Sequence, residues 1–196
     1  MAVISNEALD VVFREARSHN RWTDAPVSGD QLKELFDLLK FAPTSANGWP
    51  LRVVFATSEA AKEAIAERSM EGNRPKIQSA PVVAVLAHDL EFYDRMDVLF
   101  PHNQDMPKMY AENAELAEVT AFRNGSLQCA YFMLAARCVG LDCAPMSGFD
   151  NEAIDSLYFE GTSIRSNILC ALGKGDPAGL FPRLPRPAFD EVCSIV

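Results

Sequence analysis

Apolar residues along the chain fall into blocks of helical and strand-like spacing, separated by short polar stretches. Residues 6–17 place Leu9, Val12, Phe13 and Ala16 on one side of a helix. After the polar and aromatic RSHNRW, Ser28 and Gln31 form a capping box. Leu32, Leu35, Phe36 and Leu39 then predict the buried stripe of a second helix, which stops before Pro43. PTSANGWP at 43–50 has the turn chemistry of a loop, and the β-branched RVVFAT at 52–57 predicts a strand. An Ala-rich helix capped by Ser58 follows, then a polar loop, GNRPK, at 72–76. PVVAVLAH at 81–88 is almost continuously apolar, the pattern of a strand buried on both faces.

From residue 90 to 108 the pattern is irregular and broken by Pro101 and Pro107, with LEFYDRMDVLF as a short helix leading into the loop PHNQDMP. Residues 112–139 predict a long helix, with an interruption at Asn124-Gly125 left open. Its second half is apolar nearly all round, so several neighbours must bury it, and Gly140 ends it at the C′ position. APMSGF at 144–149 reads as a loop, DNEAIDSLYF as a short helix capped by Asp150, and SNILCALGKG at 166–175 as the third clear strand. A Pro-rich segment follows, and AFDEVCSIV closes the chain. This tail is too apolar to lie free and is expected to dock on a partner subunit.

At 196 residues without repeats or a linker-like shift in composition, the chain predicts one domain over 1–196. The net charge of −9 argues against nucleic acid or anionic membrane as a partner. The five cysteines are odd in number and form no C-x-x-C pair, which predicts neither a disulfide framework nor a zinc site and fits a reducing cytoplasm. MAVISNEALD lacks the basic and apolar regions of a signal peptide, and no run of about eighteen apolar residues predicts a membrane span.

Strands and helices alternate, yet no G-x-G-x-x-G follows a strand and no phosphate-binding G-x-x-x-x-G-K-[ST] occurs. Any phosphorylated cofactor must therefore be held by side chains and scattered loop amides. Donors for a phosphate dianion are available in Arg17, Ser18, His19, Asn20, Asn73, Lys76 and Arg183. Pro145, Met146, Ser147 and Gly148 suit a flat heteroaromatic ring, because Gly148 permits close approach and Ser147 presents a backbone N–H. Taken singly, each of these stretches reads more simply as a solvated helix end or turn. The three histidines lack metal-ligand spacing, so no metal site is expected, and the absence of G-x-S-x-G weighs against hydrolysis.

Taken together, in order and spacing, these segments resemble the nitroreductase family over almost the whole chain. The resemblance implies an α+β fold with a central, mainly antiparallel sheet flanked by helices, and an intertwined homodimer with flavin sites between subunits. It implies FMN as cofactor and NADPH or NADH as hydride donor. Arg17, Ser18, His19 and Asn20 match the segment that binds the FMN phosphate and ribityl chain. Pro43, Thr44, Ser45 and Asn47 match a P-S-x-x-N loop that reaches the flavin from the other subunit. Asn73 and Lys76 match a polar pair at the pyrimidine edge, Pro145 to Gly148 the loop at flavin N5, and Arg183 a C-terminal phosphate ligand. The apolar helix near 126–139 is a candidate for part of the interface.

SHNRW, TSANGWP, FYDRMDVLFPH, EVTAFRNGS, PMSGFD and RLPR look closest to the malonic semialdehyde reductases of pyrimidine degradation. That branch implies reduction of 3-oxopropanoate to 3-hydroxypropanoate, with Arg21, His102 and Arg123 as candidates for the substrate carboxylate. A general nitroreductase or quinone reductase, and a non-reductase flavin-binding protein of the same fold, are the alternatives. The chain departs from the wider family at Ala16, Asn20 and Phe181, where many members carry basic residues, so phosphate binding is expected to lean on Arg17, Ser18 and Arg183.

Overall fold

The computed structural model describes residues 3–196. In chain order the elements are α1 (Asn6–Leu9), α2 (Gly29–Leu39), β1 (Leu51–Ala56), α3 (Glu59–Glu67), α4 (Arg74–Ser79), β2 (Val82–Asp89), α5 (Met96–Leu99), α6 (Met106–Ala111), α7 (Ala114–Cys138), β3 (Asp142–Met146), α8 (Asn151–Tyr158), β4 (Ile164–Gly173) and α9 (Phe189–Val192). The strands form one sheet in the order β1-β2-β4-β3, and every pairing is antiparallel.

Side-chain alternation along the strands divides the core in two. Leu51, Val82, Ala84, Leu86, Cys170 and Leu172 face α2 and α7, meeting Leu35, Leu39, Cys129, Phe132 and Ala136. Val83, Val85, Ala87, Leu169 and Ala171 face the other layer, where Ile65, Ala66, Ile77 and Ile154 of α3, α4 and α8 cover them. A smaller cluster of Phe92, Met96, Tyr110, Ala117 and Ala121 seats the segment 92–111 on the first half of α7. Burial alone pushes the Cys129 thiol up to about 12, so it behaves as a small apolar side chain.

Several boundaries follow the sequence. Ser28 and Gln31 make the capping box, Ser58 and Asp150 cap α3 and α8, and Gly140 follows α7 at φ +78°. β2 is buried along nearly its whole length because it lies between β1 and β4.

Other expectations need correcting. Residues 72–76 are not a loop: a 3-10 turn, Glu71–Asn73, leads directly into α4, and Pro75 sits in its first turn, where the missing N–H has no partner to lose. The stretch read as the loop APMSGF begins as β3, where Pro145 is tolerated because β3 is an edge strand. The second helix buries Leu35 and Leu39 but leaves Phe36 45% exposed. The first helix is shorter than expected, ends in a π turn over Asp10–Arg14 and buries none of its apolar residues.

Helix α7 runs without a break through Asn124-Gly125. A Cβ at Gly125 would lie 2.8 Å from the Cβ of His88 on β2, so this glycine is the point where helix and sheet approach most closely, not a break in the helix. His88 is buried there, edge-on to Phe122 at 5.7 Å between ring centroids, and its Nδ1 has no partner among the described residues.

Two tests follow. Gly125→Ala should lower the unfolding free energy by about 1–3 kcal/mol, read from denaturant melts, because the added methyl forces α7 off β2. Burial lowers the His88 pKa below 6.5, with Asp155, Glu118 and Asp89 opposing and Arg165 assisting. The unfolded state therefore binds a proton that the folded state refuses. Stability from this group is full above the unfolded value and is lost as pH falls towards the lowered folded value. His88→Leu should flatten the decline in melting temperature between about pH 7 and 5; an unchanged decline assigns it to other groups.

Candidate functional site

Four of the predicted segments, Arg17–Asn20, Asn73 with Lys76, Pro145–Gly148 and Arg183, gather at one edge of the sheet. The segment after α1 runs beside β3, with Ser18 bridged in parallel to Cys143 and the His19 N–H donating to the Cys143 carbonyl at 3.1 Å. Trp22 bridges Gly175 in the antiparallel sense, and the Thr23 N–H donates to Lys174 at 2.9 Å. His19 is buried, with Nε2 3.5 Å from Asp142 Oδ1 and Nδ1 unpartnered among the described residues. Asp142 also accepts the Gly175 N–H at 2.8 Å, and the His19 ring lies so close to Gly175 that any side chain there would collide with it.

Helix α4 brings the next pair. Asn73 caps its start, and Lys76, one turn on, donates to Asn73 Oδ1 at 3.4 Å. The Asn73 amide donates to the Gly148 carbonyl at 3.0 Å, so one side chain links Lys76 to the 145–148 segment. A Cβ at Gly148 would stand 2.8 Å from Met70 Sδ and 2.9 Å from Asn73 Nδ2. The Trp22 indole N–H donates to the Lys76 carbonyl at 3.1 Å, joining α4 to the Arg17–Asn20 segment. At the far end of α4 the buried Lys62 ammonium donates to the Ala80 and Gln78 carbonyls, where a cation suits the helix dipole.

The C-terminal segment completes this edge. Arg183 donates to the Arg14 carbonyl at 2.6 Å and the Ala16 carbonyl at 3.2 Å, while Arg17 donates to the Phe181 carbonyl. Asn20 donates to the Gly179 carbonyl at 3.4 Å. Thus Ala16, Asn20 and Phe181, the three positions lacking a cation, all serve to lace the 179–183 segment to the 14–20 segment. Each guanidinium still has further N–H groups for an anion.

Pro43, Thr44, Ser45 and Asn47 lie elsewhere. Their loop packs against α7 and the end of α5: the Ser45 N–H donates to Asn124 Oδ1 at 2.8 Å, and the Asn47 amide donates to the Leu99 carbonyl at 2.8 Å. The loop is strained, with Ala46, Asn47 and Trp49 all left-handed at φ 48°, 51° and 48°, an arrangement that costs on the order of 1 kcal/mol per non-glycine residue. The three substrate candidates are not brought together. Arg21 is exposed beside Gly179, His102 is exposed and edge-on to Phe100, and Arg123 is exposed on α7.

A cavity of about 770 Å³ lies away from this edge. It is an apolar groove lined by Leu32, Phe36, Trp49, Val53, Phe55 and Phe92, and it meets the predicted site only through the 43–50 loop. Lys33, Arg52 and Arg95 also line it, with Arg52 paired to Asp89 at 2.7 Å, but the residues predicted to hold a phosphate lie at the polar edge and not in the groove. Sequence reasoning missed Asn124, Gln128 and Asp142. The first two are amides at i, i+4 in a largely apolar helix, a spacing that marks one buried polar face.

A model described as "Nitroreductase family" matches residues 13–175. A relative from Ralstonia pickettii, named "Putative NADH dehydrogenase/NAD(P)H nitroreductase HadB", is 50% identical over 190 residues, covering 96% of this chain and 97% of its own. A similarly named relative from Stenotrophomonas maltophilia is 51% identical over 188 residues, covering 96% and 95%. Among solved structures, a nitroreductase from Exiguobacterium sibiricum described as a complex with FMN superposes with a TM-score of 0.85 at 20% identity, with both chains fully covered. The Bacillus subtilis ydfN structure gives 0.82 at 24% identity, covering 97% of this chain and 99% of the other. At such identities the structures establish the fold, whereas the family model and the two relatives near half identity establish descent: this chain belongs to the nitroreductase family.

Proposed function

We propose that this chain is an FMN-dependent NAD(P)H oxidoreductase that reduces malonic semialdehyde (3-oxopropanoate) to 3-hydroxypropanoate. The observation that carries the FMN reading is the convergence of Arg17–Asn20, Asn73 with Lys76, Pro145–Gly148 and Arg183 on one edge of the sheet. The donor set fits the cofactor. Two guanidinium groups and the Ser18 hydroxyl suit a phosphate dianion. Gly148 has no side chain because a Cβ would crowd Met70 and Asn73, and its carbonyl takes the Asn73 amide, which holds the 145–148 segment beside the Asn73–Lys76 pair. The names of the relatives, and the FMN complex with the same fold, support the same cofactor and donor.

Bound FMN supplies two-electron transfer between a nicotinamide and an electrophilic acceptor. The protein binds, orients and excludes. Arg17, Ser18 and Arg183 hold the phosphate. Lys76, steadied by Asn73, places a positive charge at the pyrimidine edge, where it favours the electron-rich form. The Ser147 N–H, just after β3, would be the donor to the ring. Thr44, Ser45 and Asn47 contribute from the partner subunit, which explains why their loop stands apart from the other site residues within one chain.

A homodimer accords with the exposed apolar surface. Val119, Phe122, Leu127 and Tyr131 are uncovered on α7, and Phe181, Leu184, Phe189, Val192 and Ile195 on the tail. Among the described residues no helix is long and apolar enough to cross a membrane.

The semialdehyde rests on sequence likeness to that branch, with Arg21, His102 and Arg123 as the candidates for its carboxylate. Arginine is the stronger candidate because its planar fork matches a carboxylate. The relatives' names favour a second reading, a general nitroreductase acting on nitroaromatics or quinones.

Arg183→Ala should release the tail and the phosphate together. Protein purified without added flavin should then lose most of its absorbance near about 450 nm, and full retention would remove Arg183 from the site. Substrate class is decided by NADPH and NADH oxidation with 3-oxopropanoate, its uncharged aldehyde analogue and a nitroaromatic. The acid should be preferred, and alanine at one of Arg21, His102 or Arg123 should raise KM for it about tenfold without affecting the uncharged aldehyde. No KM change in any of the three, or equal rates with acid and analogue, leaves the general reductase as the reading.

A further inference from the structure

The strained loop 43–50 is held to the body of the protein by hydrogen bonds at three places and braced within itself by a fourth. The Ser45 N–H donates to Asn124 Oδ1 at 2.8 Å, the Asn47 amide donates to Leu99 O, the Trp49 N–H donates to Thr44 Oγ1, and the Trp49 indole donates to Lys40 O. One turn further along α7, Gln128 accepts the Leu51 N–H at 3.0 Å, where the loop has already become β1. Asn124 and Gln128 are 5% and 0% exposed, in a helix face otherwise made of small and apolar side chains.

Asn124 differs from the other anchors in two respects. Its Nδ2 donates back to the Thr120 carbonyl at 2.8 Å, which fixes the amide so that only Oδ1 can face the loop. The reverse orientation would set an NH₂ against the Ser45 N–H, donor against donor. It also grips the residue immediately before the left-handed pair Ala46-Asn47. Without that acceptor the Ser45 N–H loses its partner, and the relaxed course of the chain through 46 and 47 is right-handed. Thr44 Oγ1 is already an acceptor from Trp49, so in this conformation its hydroxyl hydrogen remains to be given to a ligand.

We propose that Asn124 is a positioning residue for the cofactor: from the middle of α7 it holds the strained loop in the shape that lets Thr44, Ser45 and Asn47 reach the FMN bound by the opposite subunit. This rests on the proposed role of that loop. Asn124 itself touches no cofactor atom. Its effect runs through the Ser45 N–H and the backbone that follows.

The test is FMN affinity of the dimeric apoprotein, measured by quenching of flavin fluorescence on titration, together with the visible circular dichroism of the bound flavin and the dimer fraction. Asn124→Leu keeps the bulk and removes the acceptor, so it should weaken FMN binding about tenfold and alter the flavin dichroism in the fraction that remains dimeric. Asn124→Asp, which burial beside the Thr120 carbonyl keeps protonated, presents an oxygen to Ser45 and an O–H to Thr120, so measured at about pH 5 it should stay within about threefold of the parent. Should the leucine variant not fold, Asn124→Ser is read instead: it is polar but too short to span to Ser45, and it should show the same loss. Thr44→Ala is the control on the loop. If it weakens FMN while the leucine or serine variant binds normally, the loop contacts flavin without help from Asn124, and the inference is overturned. Should Thr44→Ala and the Asn124 variants all bind normally, the loop's role at the flavin fails as well. Equal losses in the aspartate and leucine variants overturn the argument from the acceptor.

Discussion

Helix α7 can lie against the sheet only because residue 125 has no side chain where His88 stands. That single close approach brings the middle of α7 down onto β2, and much of the functional architecture hangs from it. With the helix at that height, Asn124 reaches the Ser45 N–H and Gln128 reaches the Leu51 N–H, so one helix face supports both the strained loop and the start of β1. Raised by a methyl group, the helix would lose both hydrogen bonds together, which is why the contact matters beyond its own packing energy.

The other half of the site depends on an edge. β3 is the last strand of the sheet, and its free side is used by the chain itself: residues 18 and 19 bond to Cys143, and the 174–176 turn pairs with residues 21–23. An edge closed in this way is protected from pairing with other chains. It also fixes Arg17 and Ser18 relative to Ser147 without a glycine-rich phosphate loop. Asn73 and Lys76 join through the Trp22 indole and the Gly148 carbonyl. The tail is laced over the outside by Arg17 and Arg183, so the cations available to an anion also carry the contacts that keep the tail in place.

A family fold does not choose a substrate. Within this chain, the Ala16 and Phe181 carbonyls and the Asn20 amide lace the 14–20 segment to the 179–183 segment, and Arg21, His102 and Arg123 are exposed and separated from one another. Under the proposed function, the choice between a semialdehyde and a broader range of electrophiles would rest on exposed side chains such as these, not on the sheet that carries them.

Much was legible in the residues themselves. Capping pairs, alternation and the long apolar helix are local patterns, and Ser28 with Gln31, Ser58, Asp150 and Gly140 mark their boundaries where the structure has them. The order and spacing of the polar segments, read together, carried the family resemblance. What the residues could not show were features decided by neighbours distant in sequence. Pro145 reads as a loop until the chain places it on an edge strand, where a missing N–H costs nothing. Asn124-Gly125 reads as a weak point in a helix until His88 and Ser45 are brought alongside. The sequence by itself determined most of the helices and strands and their caps, because those preferences act over a few residues, but not that GNRPK runs into α4 or that Pro145 lies in β3. Only the tertiary structure decided which polar groups share a site and which glycine is indispensable, because hydrogen-bond partners and steric limits are set by residues 37 to 79 positions away.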